Sequence, residues 1–207
     1  MALEPRTEWG TAKQDITADP DFSRPEGKKL IKVELACGQN KRDGWIGMDR
    51  VKTEKTDIIH DLLAFPWPFD DASIYEFNCE HFVEHIPIQL ADGSYGLHKF
   101  MEEVYRCLMP GGTIRFVAPY YTSIRAWQDP THTRAISEVT FEYYNKKNSE
   151  SMRVDHYGAK CNFEAVSKVY GITPEWEASS DEARQWAMKH YCNVVADIEV
   201  VLRKVDL

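Results

Sequence analysis

Two short apolar runs stand so close together that they limit what the chain can build between them. In VELACGQNKRDGWIGMDR, residues 33–50, the run LIKVEL (30–35) is interrupted only by Lys32 and closed by CGQN, and WIGMD (45–49) follows almost at once. Both runs read as buried strands. Neighbouring parallel strands are usually joined by a crossover of about a dozen residues or more, commonly a helix, and residues 36–44 are too few for one. The glycine spacing G-x-G-x-x-G is absent as well, since the turn reads A-C-G-Q-N. Both facts argue against a pyrophosphate cradle at the start of a full helix. What remains is Glu34 at the end of one strand, the small residues Ala36 and Gly38 in the turn, and Asp49 at the end of the next strand. In doubly wound folds ligands lie outside the carboxyl ends of the strands, where small residues admit the ligand to the backbone and an acid takes the ribose hydroxyls. The pattern predicts a strand edge that binds a nucleoside.

Further along, TDIIHDL (56–62) reads as a third strand, and AFPWPFDDAS follows with prolines that forbid a regular element. IYEFNC (74–79) is a fourth strand that runs into EHFVEHI. LHKFMEEVYRCLMPGG (97–112) repeats Leu97, Phe100, Met101, Val104 and Leu108 at helical spacing, with Pro-Gly-Gly as the stop. TIRFVAP (113–119) is a fifth strand. The later segments predict a helix over CNFEAVSKVYGI closed by Gly171, a helix over DEARQWAMKHY and a last strand over 194–204. Residues 1–28 are polar and broken by Pro5, Pro20, Pro25 and Gly27, with Trp9 and Phe22 as the anchors available to a lead-in or lid. Strands that alternate with helices or loops point to a parallel α/β sheet.

Composition narrows the partners. With 25 Lys and Arg against 33 Asp and Glu the net charge is −8, which disfavours nucleic acid and anionic membranes. The five cysteines form no C-x-x-C pair and suit a reducing cytoplasm. The N-terminus is charged where an export signal needs an apolar run, and no stretch reaches about 18 apolar residues.

HFVEH (81–85) spells H-x-x-E-H, the motif of one class of zinc peptidases, with His81 and His85 one helical turn apart and Glu84 as a base. Its place after a fourth strand belongs to a different context. The blocks LACGQNKRDGWIGMD, DIIHDLLAFPWPFDDAS, EHFVEHI and LMPGGTIRFVAP together resemble a class I S-adenosylmethionine-dependent methyltransferase. The likeness is to the small branch with an L-x-C-G-x(5)-G-W-x(3)-D opening, and it covers roughly residues 30–120. It implies a Rossmann-like, mostly parallel sheet with helices on both faces, in a methyltransferase domain spanning residues 29–207. It also implies S-adenosylmethionine as cofactor, with no metal.

Carried onto this sequence, the resemblance puts Glu34, Ala36, Cys37 and Gly38 under the methionine part of the cofactor and Asp49 on the ribose diol. Asp61 and Leu62 would meet the adenine, and Asn78, Cys79 and Glu80 would flank the sulfonium end. Ala36 and Asn40 stand where the family more often has glycine. Glu84 and His85 take structural roles in this reading. After the fifth strand, residues 120–150 carry aromatic and charged side chains suited to covering a small-molecule substrate. Pro119-Tyr120-Tyr121 follows strand five, whereas the D-P-P-Y segment of amino-group DNA methyltransferases follows strand four. His132 is the first candidate for a general base, His81 the second, and Tyr120 is a further candidate on the substrate side. Two alternatives stay open: a zinc-dependent hydrolase built on residues 81–85, and a domain that binds S-adenosylmethionine without transferring methyl. Neither the acceptor nor the oligomeric state is encoded in any motif.

Overall fold

The computed structural model describes residues 30–207, so the expected lead-in over 1–28 lies outside the described residues. Seven strands form one sheet: β1 Lys32–Leu35, β2 Ile46–Asp49, β3 Ile58–Ile59, β4 Ile74–Glu80, β5 Leu108–Pro119, β6 Phe163–Ile172 and β7 Val195–Lys204. Their order across the sheet is β3-β2-β1-β4-β5-β7-β6. The first five run parallel, and β7 is antiparallel to both of its neighbours. The helices are α1 Gly96–Cys107, α2 Lys146–Ser151, α3 Pro174–Glu177 and α4 Asp181–His190.

The pleat sorts the side chains. Val33 and Leu35 lie in register with Phe77 and Cys79 on β4, and these with Ile114 and Phe116 on β5. All six are buried in one core. The residues between them, Glu34, Asn78 and Arg115, occupy the opposite face, because successive side chains of a strand alternate. Against the apolar face pack Leu97, Phe100, Met101 and Val104 of α1, the helical stripe expected from their spacing.

β1 and β2 pair in parallel even though a ten-residue link without a helix joins them. Left-handed backbone at Ala36, Gly38 and Gly44 makes the tight path possible. The Cys37 amide donates to the Met48 carbonyl at 3.3 Å and closes the loop onto β2.

Four sequence expectations need correction. Residues 163–172 form β6 and no helix. Their apolar residues satisfy either period, and pairing with β7 decides for the strand, since a buried β7 needs a hydrogen-bonded neighbour on its second edge. Pro110-Gly111-Gly112 does not stop α1: the helix ends at Cys107, and β5 already starts at Leu108. HFVEH holds one 3-10 turn, Val83–His85, in place of the expected helix. β3 is also shorter than expected, because as the edge strand it has only β2 to pair with.

Candidate functional site

A cleft of about 490 Å³ opens beyond the carboxyl ends of β1 to β4, lined by Ala36, Asp49, Asp61, Leu62, Phe82 and His85 among others. Each strand delivers its residue differently. Ala36 follows β1 with φ of 51°, which turns the chain away and leaves its backbone at the cleft. Asp49 ends β2, and its carboxylate is held from two sides: the Gly38 amide donates to Oδ2 at 3.0 Å and the Val51 amide to Oδ1 at 2.8 Å. A carboxylate has about four lone-pair sites, so two such bonds fix its orientation and leave acceptors for hydroxyl donors. Asp61 closes a local turn by accepting the Leu63 amide at 2.9 Å. The Leu62 carbonyl accepts the indole N–H of buried Trp67 at 3.0 Å, which holds this part of the wall against the core. At the exit of β4, His81 takes φ of 52° and its amide donates to the Val117 carbonyl at 2.8 Å, turning the chain so that Phe82 and His85 reach the cleft.

Four residues expected at the cofactor, Ala36, Asp49, Asp61 and Leu62, thus share one cleft. Gly38 supports it by its bond to Asp49. The other five are placed elsewhere. The Cys37 thiol turns to Thr56 and the Lys55 carbonyl, and burial pushes its pKa up. Cys79 is wholly buried in the apolar core, with its thiol pushed well above the ordinary range by burial. Glu34, Asn78 and Glu80 form a polar network on the face away from the core. Asn78 donates to Glu34, and to Glu80 at 3.2 Å. Arg115 donates to Asn78 Oδ1 at 2.8 Å, to Glu80, and to Glu199 at 2.6 Å, while Arg42 donates to Glu80 at 2.9 Å. Burial raises the Glu34 carboxyl above the usual carboxylate range, and Arg42 and Asn78 offset that only in part. For Glu80 burial pulls the same way but is outweighed by Arg115, Asn78 and Arg42, which hold it below that range.

The three candidates for proton transfer also separate. Tyr120 lies at the end of β5 and donates to Glu138 at 2.9 Å; burial, then Glu138, push the phenol well above its usual range. It lines a second cavity of about 650 Å³ with Tyr121, Tyr170 and Tyr191. His81 is partly exposed, with Nδ1 3.5 Å from Glu84 Oε1. His132 is largely buried, its Nδ1 donates to the Ala126 carbonyl at 3.0 Å, and its ring meets that of His85 edge-on at 4.6 Å. The segment bearing His132 is fastened to the β4 exit. Thr133 donates from its amide to the Glu84 carbonyl at 2.8 Å and from its hydroxyl to Ile86 at 2.6 Å, and Arg134 donates to Ile86 at 2.7 Å. Thr131 thereby joins the cleft lining.

Phe82, His85 and Thr131 were not singled out as cleft residues by the sequence. Arg50 and Leu63, also in the lining, lie one residue after Asp49 and two after Asp61, so proximity to an acid near a strand end was the signal available for them. Thr131 carries no local signal, because a distant loop brings it there.

Comparison of the sequence with family models and with curated proteins finds no match. Comparison of the fold does. An S-adenosylmethionine-dependent methyltransferase from Archaeoglobus fulgidus superposes with a TM-score of 0.54 at 15% identity, covering 84% of this chain and 86% of that one. A complex from Haloferax volcanii between the Trm112 methyltransferase activator and a methyltransferase gives a TM-score of 0.50 at 17% identity, with 86% and 83% coverage. The seven-stranded, mostly parallel sheet is that of the class I methyltransferases.

Proposed function

We propose that this chain transfers a methyl group from S-adenosylmethionine to an acceptor, most simply a small molecule. The observation that carries this reading is the convergence of Ala36, Asp49, Asp61 and Leu62 from three successive connections onto one cleft. That cleft lies where the order β3-β2-β1-β4 reverses direction, the switch point at which open α/β sheets bind ligands.

The lining suits the adenosine half of the cofactor. Asp49, pinned by two amides, presents acceptors to a diol. Asp61 can take the exocyclic amine of adenine, and Leu62, Leu63 and Phe82 supply apolar walls. The bound cofactor supplies a sulfonium methyl that is already a strong electrophile, so the protein has to align the acceptor and exclude water. For an acceptor that must lose a proton, His132 offers the Nε2 lone pair left by its bond to Ala126, with His81 behind it. A neutral amine or a thiolate needs neither. Residues 120–150 cover the acceptor side in this reading. The five cysteines, all free, favour a reducing compartment such as the cytoplasm.

Isothermal titration of the full-length protein with S-adenosylmethionine and S-adenosylhomocysteine tests the reading. Micromolar binding is expected for both, with loss of binding in Asp49→Ala. A folded parent that binds neither overturns the proposal. Turnover of an acceptor library then separates an enzyme from a domain that only binds the cofactor.

A further inference from the structure

We propose that Glu84, His85 and His132 form a binding site for a divalent transition-metal ion, with Zn²⁺ the best chemical match, in the wall of the cleft. One ligand atom from each of the three residues lies within 4.8 Å of the others. Glu84 supplies the independent observation. Its side chain is 2% exposed, and neither carboxylate oxygen accepts a hydrogen bond. Its nearest cationic candidate is His81 Nδ1, 3.5 Å from Oε1. A buried carboxylate in this state calls for a cation to complete it.

The two imidazoles are prepared as ligands by the groups behind them. His132 donates its Nδ1 proton to the Ala126 carbonyl at 3.0 Å. His85 Nδ1 lies 2.9 Å from Thr131 Oγ1, and the Thr131 hydroxyl spends its own proton on Asp129 Oδ1 at 2.7 Å, so Thr131 accepts from His85. With Nδ1 engaged in this way, Nε2 is the nitrogen each ring has left to offer an ion, the arrangement in which metal-binding histidines are held by their outer partners. The bonds from Thr133 to the carbonyls of Glu84 and Ile86 hold the two segments together. Two imidazoles and one carboxylate are a zinc donor set that leaves at least one position open.

His85 and Thr131 also line the cleft, so an ion held here faces it. An acceptor bearing a hydroxyl or carboxylate oxygen is the substrate class that such an open position would take. That last step rests on the methyltransferase reading, but ion binding does not. With the site loaded, His132 holds the ion and no longer serves as a base. The set differs from the peptidase-like reading of residues 81–85, because His132 takes the place of His81 and Glu84 holds the ion in place of acting as a base.

The test is titration of chelator-stripped, full-length protein with ZnCl₂, with metal quantified after desalting and S-adenosylhomocysteine binding measured on the same samples. One Zn²⁺ per chain is expected, with affinity lowered at least about 100-fold in His132→Ala and in the near-isosteric Glu84→Gln, and unchanged in His190→Ala. Zn²⁺ should raise the melting temperature of the parent and not of His132→Ala. No stoichiometric Zn²⁺, or equal affinity in folded His132→Ala and Glu84→Gln, overturns the site. S-adenosylhomocysteine binding without Zn²⁺ overturns this inference alone, whereas Zn²⁺ without S-adenosylhomocysteine overturns the methyltransferase reading alone.

Discussion

At the scale of single residues, the charged network beside the cleft makes a pH-dependent contribution whose sign can be worked out. Burial acts to raise the Glu80 carboxyl, but Arg115, Asn78 and Arg42 together hold it below the ordinary range. The folded state therefore binds that proton less readily than the unfolded chain, and Glu80 stabilises the protein above the ordinary glutamate range. This contribution disappears as the pH falls through the lowered folded value. Glu80→Gln should lower the melting temperature at neutral pH, with a gap to the parent that closes on acidification. A gap that stays constant across the titration would show that the charge contributes nothing. Glu34 has the opposite sign, because burial raises its carboxyl. Its ionised form costs stability at neutral pH, so Glu34→Gln should become relatively more favourable as the pH rises. Asp49 and Asp61 were legible as residues of the cleft edge because an acid at or just past a strand end lies at the carboxyl edge whichever way the strand is rotated. Glu34, Asn78 and Cys79 lie within their strands, where position alone cannot say which face a side chain takes.

At the scale of elements, the turn carrying Val83–His85 is braced by the start of α1. The Gly96 amide donates to the Ile88 carbonyl at 3.1 Å. A Cβ at Gly96 would overlap the Pro87 carbonyl oxygen and come 2.9 Å from Ile86 Cγ2. Gly96→Ala is expected to destabilise the protein by about 1–3 kcal/mol, the usual range for overpacking. It should also weaken S-adenosylhomocysteine binding, because the displaced segment includes the cleft residues His85, on the turn, and Pro87, just after it. Denaturant unfolding and titration measure the two effects, and unchanged affinity would show that the turn and the cleft are mechanically independent. α1 was readable because its apolar stripe repeats with the helical period and one face is buried. β6 was not: Phe163–Ile172 has apolar residues compatible with either period, and its ten hydrogen-bonding positions only acquire a preference once β7 is beside it.

For the whole molecule, the sheet order sets β1 beside both β2 and β4, and so gathers four strand ends around one opening. Ligand binding there should stabilise the entire fold, since the contributing residues belong to strands that unfold together. S-adenosylhomocysteine at 100 times its Kd is expected to add about 2.7 kcal/mol. For a domain of this size that corresponds to about 5–10 °C in Tm. A thermal scan of the parent without any shift would count against a nucleoside site, and Asp49→Ala should show none. From the sequence alone came what depends on neighbours along the chain: the strand–turn–strand opening without a crossover helix, the acids at the strand ends, the amphipathic α1 and the α/β class. Tertiary structure alone decided which sheet face each strand residue occupies, that residues 163–172 pair as a strand, and that His132 meets Glu84 and His85 from a distant part of the chain. The physical reason is common to all three. These outcomes are set by hydrogen bonds and packing between segments far apart in the chain, which leave no trace in the local pattern of either segment.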